Sequence, residues 1–121
     1  MPLSAAAFPR RCRLLTGAEY RAVFRQRRST HGKLFSVHVA PNGLTYPRLG
    51  IAVSRRVSKK AVIRNRIKRQ IRESFRLCRQ ALGDIDYVVV AKAPAADRPG
   101  PELRCELDRL WQQAQKKCEN R

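Results

Sequence analysis

The stretch AVIRNRIKRQIRESFR, residues 61–76, decides how this sequence folds. Apolar side chains recur in and beyond it at spacings of three and four residues: Ile63, Ile67, Ile71, Phe75, Cys78 and Leu82. This spacing predicts an amphipathic helix with one buried stripe, because a helix repeats every 3.6 residues. Ser58 is a suitable cap at its start, and Gly83 is suited to its end.

The opposite side of this predicted helix is basic. With Ile67 at zero on a helical wheel, four side chains fall within about 40° of the opposite pole: Asn65, Arg69, Arg72 and Arg76. Arg79 lies close by, and Arg66 and Lys68 flank the two sides. Guanidinium groups pair bidentately with phosphate oxygens, so this row can follow a sugar–phosphate backbone. A solvated basic face is the alternative, but Glu73 is the only acid between Arg55 and Arg79.

The start of the helix is also rich in cations. Lys59, Lys60 and Arg64 lie in or near its first turns, where the helix dipole disfavours an exposed cation by about 0.3–1 kcal/mol. An anion bound there reverses the sign of this effect, and phosphate is the anion we expect.

Composition supports a polyanionic partner. The 121 residues suit one domain, and we expect residues 1–13 to form a flexible N-terminal arm. The chain contains 27 Lys and Arg residues against 9 Asp and Glu residues, which gives a formal charge of +18. Nucleic acid is the first candidate partner, and an anionic membrane is the second. The membrane is disfavoured because the apolar stripe is needed to cover a sheet. No apolar run approaches transmembrane length, and the N-terminus lacks the order of a secretory signal.

The remaining segments predict the other elements. A capping box at Thr16 and Glu19 starts a first helix that runs to about Arg27, and RQRRSTHGK, residues 25–33, follows as a loop. Strands are predicted at residues 34–40, 44–46, 48–54 and 86–93, the third with a small face of Gly50, Ala52 and Ser54 that something approaches closely. A last helix begins near Pro101 and has the inner face Leu103, Leu107, Leu110, Trp111 and Ala114. The order is α-β-β-β-α-β-α, an α+β two-layer sandwich with a four-stranded sheet.

Catalytic side chains leave little trace. His31 and His38 are the only histidines, and no carboxylate pair or thiol stands at a suggestive spacing, so no catalytic residue and no metal ligand is predicted. The four cysteines form no CxxC pair, which indicates reduced thiols in a cytoplasmic protein. A disulfide framework is the weaker alternative.

The motif Arg64-Asn65-Arg66, followed by Ile67-Lys68-Arg69, resembles the hallmark of the protein component of bacterial ribonuclease P. Residues 8–24, 48–77 and 86–97 are also similar to that family, in its order. The resemblance implies a fold shared with ribosomal proteins and elongation factors, in which a left-handed βαβ crossover carries the arginine helix. It implies a protein that binds the catalytic RNA and the 5′ leader of precursor tRNA, while the RNA subunit and its bound Mg²⁺ remove the leader.

By position, the resemblance assigns two sets of residues. The contacts to the catalytic RNA are Lys59, Lys60, Arg64, Asn65, Arg66, Lys68, Arg69 and Arg72, and the helical wheel adds Arg76. The leader-binding cleft comprises Tyr20, Phe24, Ser36, His38, Ser54, Arg55 and Arg56. Ordinary core packing remains the alternative for Tyr20 and Phe24.

The expected partners are therefore ribonuclease P RNA and precursor tRNA, with neither membrane nor DNA. No cofactor is expected on the protein alone. The runner-up function is a non-enzymatic protein that binds ribosomal or other structured RNA. A DNA-binding module is third, because no helix-turn-helix pattern precedes the basic helix.

Overall fold

The computed structural model describes residues 10–14 and 16–119. Its helices are α1 (Gly17–Arg25), α2 (Ala61–Cys78) and α3 (Gly100–Glu119). Its strands are β1 (Arg28–His31), β2 (Phe35–Pro41), β3 (Arg48–Ala52) and β4 (Ile85–Ala91). The predicted element order and the α+β class are confirmed.

The four strands form one open sheet in the order β1-β2-β4-β3. The β1–β2 and β2–β4 pairs are antiparallel, whereas β3 and β4 are parallel. Adjacent parallel strands need a crossover connection, and here that connection is α2. The crossover lays the basic helix across the sheet, with its apolar stripe against the strands.

The main core lies between one face of the sheet and helices α2 and α3. Phe35, Val37 and Val39 of β2 are fully buried there, and they belong to the same hydrophobic core as Ile67 and Ile71 of α2. The predicted inner face of α3 is buried throughout, which confirms the periodicity argument for that helix: Leu103, Leu107, Leu110, Trp111 and Ala114.

Trp111 joins α3 to α2. Its ring packs edge-on against Phe75 and Tyr87, with both centroid distances 5.7 Å, and it is 1% exposed. Its indole N–H donates to the Ser74 hydroxyl at 2.8 Å, and that hydroxyl donates to Asp108 at 2.8 Å. Because a buried polar group without a partner is destabilising, this chain of hydrogen bonds fixes α2 in one position on α3.

One strand lies elsewhere than predicted. Residues 44–46 form an irregular loop, because Gly43 has a positive φ of 68° and the Asn42 side chain bonds the backbone of Leu44 and Tyr46. Residues 28–31, predicted as a loop, form β1 instead. Thr30 is buried in this strand, and its hydroxyl donates to Gln113 of α3 at 3.0 Å. Partners distant in sequence, rather than local propensity, make this polar tetrapeptide a strand.

The predicted helix boundaries also shift. The helix α2 begins at Ala61 rather than near Ser58, whose hydroxyl accepts from the Lys60 N–H at 3.1 Å in the preceding turn. It ends at Cys78 and continues as a short 3-10 turn. The capping box of α1 is confirmed, with hydrogen bonds of 2.9 and 3.2 Å between Thr16 and Glu19, but this helix stops at Arg25.

Most of the predicted N-terminal arm, residues 1–13, lies outside the described residues. Its last residues, however, pack against the sheet. Cys12 is 1% exposed, and Arg13 forms a parallel bridge with Leu49 of β3. Leu14 adds a backbone hydrogen bond to Leu49 at 2.9 Å. The chain therefore joins the fold at least from Cys12 onwards.

Candidate nucleic-acid interface

The outer side of α2 carries cations that the protein itself does not neutralise. Asn65, Arg69 and Arg72 are exposed and Lys68 is half-buried. Within residues 10–14 and 16–119, no hydrogen bond or ion pair engages the side chains of Lys68, Arg69 or Arg72. We call Asn65, Lys68, Arg69 and Arg72 the arginine face.

The start of α2 extends this positive potential. Its first turn contains no acidic residue, and no side chain caps it. Lys59 and Lys60 are exposed just before the helix begins. The helix dipole and these lysines therefore add at one end of the arginine face, which is an arrangement that favours a phosphate group.

Three arginines assigned from the sequence are placed differently. Arg76 pairs with Glu73, and the hydrogen bond from Arg76 holds the pKa of that carboxyl below its ordinary value. Arg64 donates to the Ser58 carbonyl at 2.9 Å. Arg66 donates to the carbonyls of Ala96 and Arg98, at 3.1 and 3.3 Å, and its Nε is buried without a partner. The side chain of Arg66 thus points away from the arginine face and binds the segment before α3.

The helix α1 covers part of the other face of the sheet. Val23 is buried there with Leu14, Ala40 and Val88 in a second, smaller core. We use the name cleft for the surface beside α1 to which Tyr20, Phe24, Ser36 and His38 were assigned from the sequence.

Tyr20 of α1 contacts the sheet at β3. Its hydroxyl accepts a hydrogen bond from the Ile51 N–H at 3.1 Å, and a Cβ at position 50 would lie 2.8 Å from its ring. Only glycine fits at position 50, which confirms that the small face of β3 is approached closely. Tyr20 remains half-buried, so the ring is partly packed and partly accessible.

Phe24 lies at the open end of the cleft. It is 40% exposed, and its ring meets the His38 ring edge-on at a centroid distance of 4.9 Å. The exposure places Phe24 outside the second core. The predicted cleft residues Phe24 and His38 are therefore brought together, and Ser36 joins them by a 3.3 Å contact with the His38 ring.

Sequence analysis did not assign His31 to this site. Because residues 28–31 form a strand, His31 lies beside His38, with ring centroids 6.1 Å apart. The signal was present as a repeated Ser-x-His pattern, Ser29-Thr30-His31 and Ser36-Val37-His38. Residues two apart share a face in a strand, so both patterns place a serine and a histidine on the same side.

The last predicted cleft residues follow β3. Ser54, Arg55 and Arg56 are exposed in the turn before α2. No hydrogen bond or ion pair in the described part of the chain engages their side chains. They stand along the chain between the strand that carries Gly50 and the start of the arginine face.

A pocket of about 170 Å³ joins the two surfaces. Tyr20, Leu49 and Ile51 line it on the side of the sheet and α1, and Lys68 and Arg72 line it on the side of α2. Tyr20 of α1 and two cations of the arginine face therefore border one pocket.

An ion-pair network fixes α1 over the sheet. Arg48 donates to Glu19 of α1 at 2.9 Å and to both oxygens of Asp86 at 2.8 and 2.7 Å. The hydrogen bonds with Asp86 raise the pKa of Arg48. Asn42 adds a third donor to Asp86 at 3.0 Å. This network links α1, the helix that carries Tyr20, to β3 and β4.

The described residues contain neither a candidate metal site nor a membrane-spanning helix. No three His, Cys, Asp or Glu side chains there are grouped to hold a metal ion. No helix among the same residues has the length and apolar character needed to cross a membrane.

Known proteins share both the sequence and the fold. The family model of Ribonuclease P matches residues 8–115. The ribonuclease P protein component of Methylococcus capsulatus is 42% identical over 118 residues, which cover 98% of this chain and 92% of that protein. The component from Vibrio cholerae is 44% identical over 110 residues, covering 91% and 93%. The structure of the Staphylococcus aureus RNase P protein superposes with a TM-score of 0.81 at 30% identity, covering 85% of this chain and 94% of that one.

Proposed function

This chain belongs to the ribonuclease P protein family, and it is therefore a subunit of an endoribonuclease. We propose a separate function for each of its two surfaces. The arginine face binds the catalytic RNA. The cleft between α1 and the sheet binds the 5′ leader of precursor tRNA. The protein thereby assists removal of the leader, in the cytoplasm.

The observation that carries this proposal is the unpaired state of Lys68, Arg69 and Arg72. A stable helix gains nothing from three neighbouring cations without carboxylates, since like charges repel and lower stability. Phosphate groups supply the missing negative charge. The apolar stripe on the other side of α2 is fully used by the core, so the cations have a rigid support.

We further propose that the RNA subunit carries out the chemistry. Among the described residues, the two histidines contact serines, each other and Phe24, and no carboxylate is within hydrogen-bonding distance of either ring. A general acid–base pair built from this chain therefore has no support. Mg²⁺ would enter the holoenzyme through the RNA, with no cofactor on the protein alone.

Reconstitution tests the function. The purified chain is added to a cognate ribonuclease P RNA and a precursor tRNA at a low Mg²⁺ concentration, and release of the 5′ leader is measured. We expect a clear stimulation over the RNA alone. If the chain binds the RNA but does not stimulate release of the leader, the result favours the alternative, a protein that binds structured RNA outside tRNA maturation.

The Y20A variant tests the cleft. Base stacking on an aromatic side chain contributes about 1–3 kcal/mol per base, so Y20A should weaken binding of a leader-bearing precursor by about tenfold or more. Binding of mature tRNA, which has no leader, should change little. Y20F is the matched control, because it keeps the ring. Equal losses for precursor and mature tRNA in Y20A would assign Tyr20 to packing alone.

A further inference from the structure

The only two histidines of the chain lie side by side on the partly covered face of the sheet. His31 is in β1 and His38 in β2, and antiparallel pairing sets His31 opposite Ser36 and His38 opposite Ser29. Two serines and two histidines thus form one polar patch, which Phe24 borders. We call these five residues the histidine patch.

Each imidazole contacts a serine on its own strand. Ser29 Oγ lies 3.0 Å from His31 Nε2, and Ser36 Oγ lies 3.3 Å from His38 Nε2. A hydroxyl group both donates and accepts, so it donates to a neutral ring nitrogen and accepts from a protonated one. Either histidine can therefore gain a proton without losing its hydrogen bond.

The surroundings provide no counter-ion for that proton. Burial lowers the pKa of His38, and a positive charge on His31 lowers it further. From β4, apolar Val88 stands opposite His38, and the carboxylate of Asp86 is bound to Arg48 and Asn42. From α1, the ring of Phe24 contacts His38, while three arginines of α1 and the turn after it are exposed with no hydrogen bond to either imidazole in the described structure: Arg21, Arg25 and Arg27. An anion that stabilises the protonated form has to come from outside the protein.

We propose that His31 and His38 act together as a phosphodiester-binding site for single-stranded RNA, which takes up one proton when the RNA binds. The proposal deepens the leader cleft and rests on the proposed function. A proton from solvent joins one imidazole, whose N–H then donates to a non-bridging phosphate oxygen, and no covalent bond changes. One proton suffices, because two imidazolium groups 6.1 Å apart repel each other. Phe24 offers its exposed ring to the adjoining base.

The proposal gives leader binding a pH dependence of known sign. A phosphate beside the pair raises its pKa in the complex, so the affinity rises as the pH falls through the pKa of the complex. The gain is complete below the pKa of the free protein. Uptake of one proton limits the slope to about tenfold in affinity per pH unit.

The experiment compares two substrates of the holoenzyme. Dissociation constants of a leader-bearing precursor and of mature tRNA are measured from pH 6 to 8.5 at constant ionic strength. We expect the ratio of the two affinities to rise toward low pH in the wild type and to stay flat in H31N/H38N. The variant K116A/K117A, which removes two charges from the end of α3, should keep the wild-type slope. A leader-dependent affinity without pH dependence in the wild type overturns the histidine proposal but leaves the cleft intact. A lack of leader dependence at every pH removes the cleft and the proposal together.

A second measurement needs no variant. The full-length chain has only two imidazole Cε1–H signals in its NMR spectrum, and each is titrated with and without a single-stranded pentaribonucleotide. The titration midpoint of at least one signal should move to higher pH when the oligonucleotide is bound. Midpoints that stay in place, with the oligonucleotide bound elsewhere on the protein, overturn the proposal even if H31N/H38N fails to fold.

Discussion

Arg48 and the arginine face use the same side chain in opposite ways. Arg48 lies between two carboxylates, Asp86 and Glu19, and its charge is neutralised inside the fold. Arg69 and Arg72 stand on α2 without any carboxylate partner in the described chain. The chain has 9 acidic and 27 basic residues, so only some cations can have a carboxylate partner, and Arg48 is one of those that do. The acidic residues fix the architecture at Arg48 and leave the cations of α2 available to a ligand.

The largest effect should come from breaking the neutralised site. Asp86 is 5% exposed, and D86A removes the carboxylate to which both Arg48 and Asn42 donate, so that Arg48 keeps only Glu19 as a carboxylate partner in the described chain. Loss of one partner of a buried ion pair costs about 3–5 kcal/mol of unfolding free energy. Urea denaturation measures this change. The matched control E102A removes the same charge from an exposed pair with Arg98, which contributes about 0–1 kcal/mol. Similar losses of unfolding free energy for both variants would show that the Arg48–Asp86 ion pair does not stabilise the fold more than an exposed pair does.

The arginine face should give the reverse result. R69A/R72A should leave the unfolding free energy within about 0.5 kcal/mol of wild type, since neither side chain bonds the protein. It should weaken assembly with the catalytic RNA about ten- to hundredfold, or about 1.4–2.7 kcal/mol. The slope of affinity against salt should fall by about 0.7–0.9 for each lost phosphate contact. K116A/K117A loses equal charge from α3 and should retain the wild-type slope. An unchanged slope in R69A/R72A would argue against phosphate contacts on this face.

Arg66 should behave as an intermediate between the two regions. Because it donates to two backbone carbonyls, R66A should lower the unfolding free energy by about 1–2 kcal/mol. Hydrogen exchange should become faster in residues 93–98. N65A, one position earlier on the exposed side, is the control and should leave that exchange unchanged. If R66A affects RNA affinity alone, the hydrogen bonds to the carbonyls contribute nothing to the fold.

The smallest expected effect concerns His38 in the protein without RNA. Its pKa is lowered by burial and then by His31, so the fold favours the neutral ring. The unfolded chain takes up a proton near the ordinary value of 6.5. The contribution to stability is therefore complete above pH 6.5 and is lost as the pH falls toward the folded pKa, by at most about 1.4 kcal/mol per unit of difference. Plotted against pH, the unfolding free energies of wild type and H38N should differ by a constant amount above pH 6.5, and wild type should lose stability relative to H38N below it. A difference that stays the same at every pH would contradict a perturbed His38.

Local periodicity predicted the helices well. The stripe of α2, the inner face of α3 and the capping box at Thr16 all depend on residues three or four positions apart, and the structure retains all three. The strand β1 could not be predicted in this way. Its polar residues become a strand only by pairing with β2, and the hairpin that joins them is held by Glu106 of α3, which accepts from the N–H groups of Leu34 and Phe35.

The candidate site was predictable to the same extent. A helical wheel locates the cations of α2, but it cannot show that Arg66 reaches backbone carbonyls 30 residues further along. Missing β1 also meant missing His31, because its neighbour His38 comes from another strand. Contacts between distant segments therefore account for the missed strand β1 and for the placement of Arg66 and His31, whereas the false strand at residues 44–46 has a local cause in the Asn42-Gly43 turn.

Trp111 has a practical consequence. It is the only tryptophan, it is shielded from water, and its indole is bound to Ser74 on the helix whose far side carries the arginine face. Its intrinsic fluorescence therefore reports how α2 is seated, from behind the contact surface. An RNA that merely adheres to the cations leaves the emission wavelength constant, whereas one that tilts the helix changes it. The emission wavelength of Trp111 can therefore distinguish rigid docking of the protein on RNA from a rearrangement of α2 on binding.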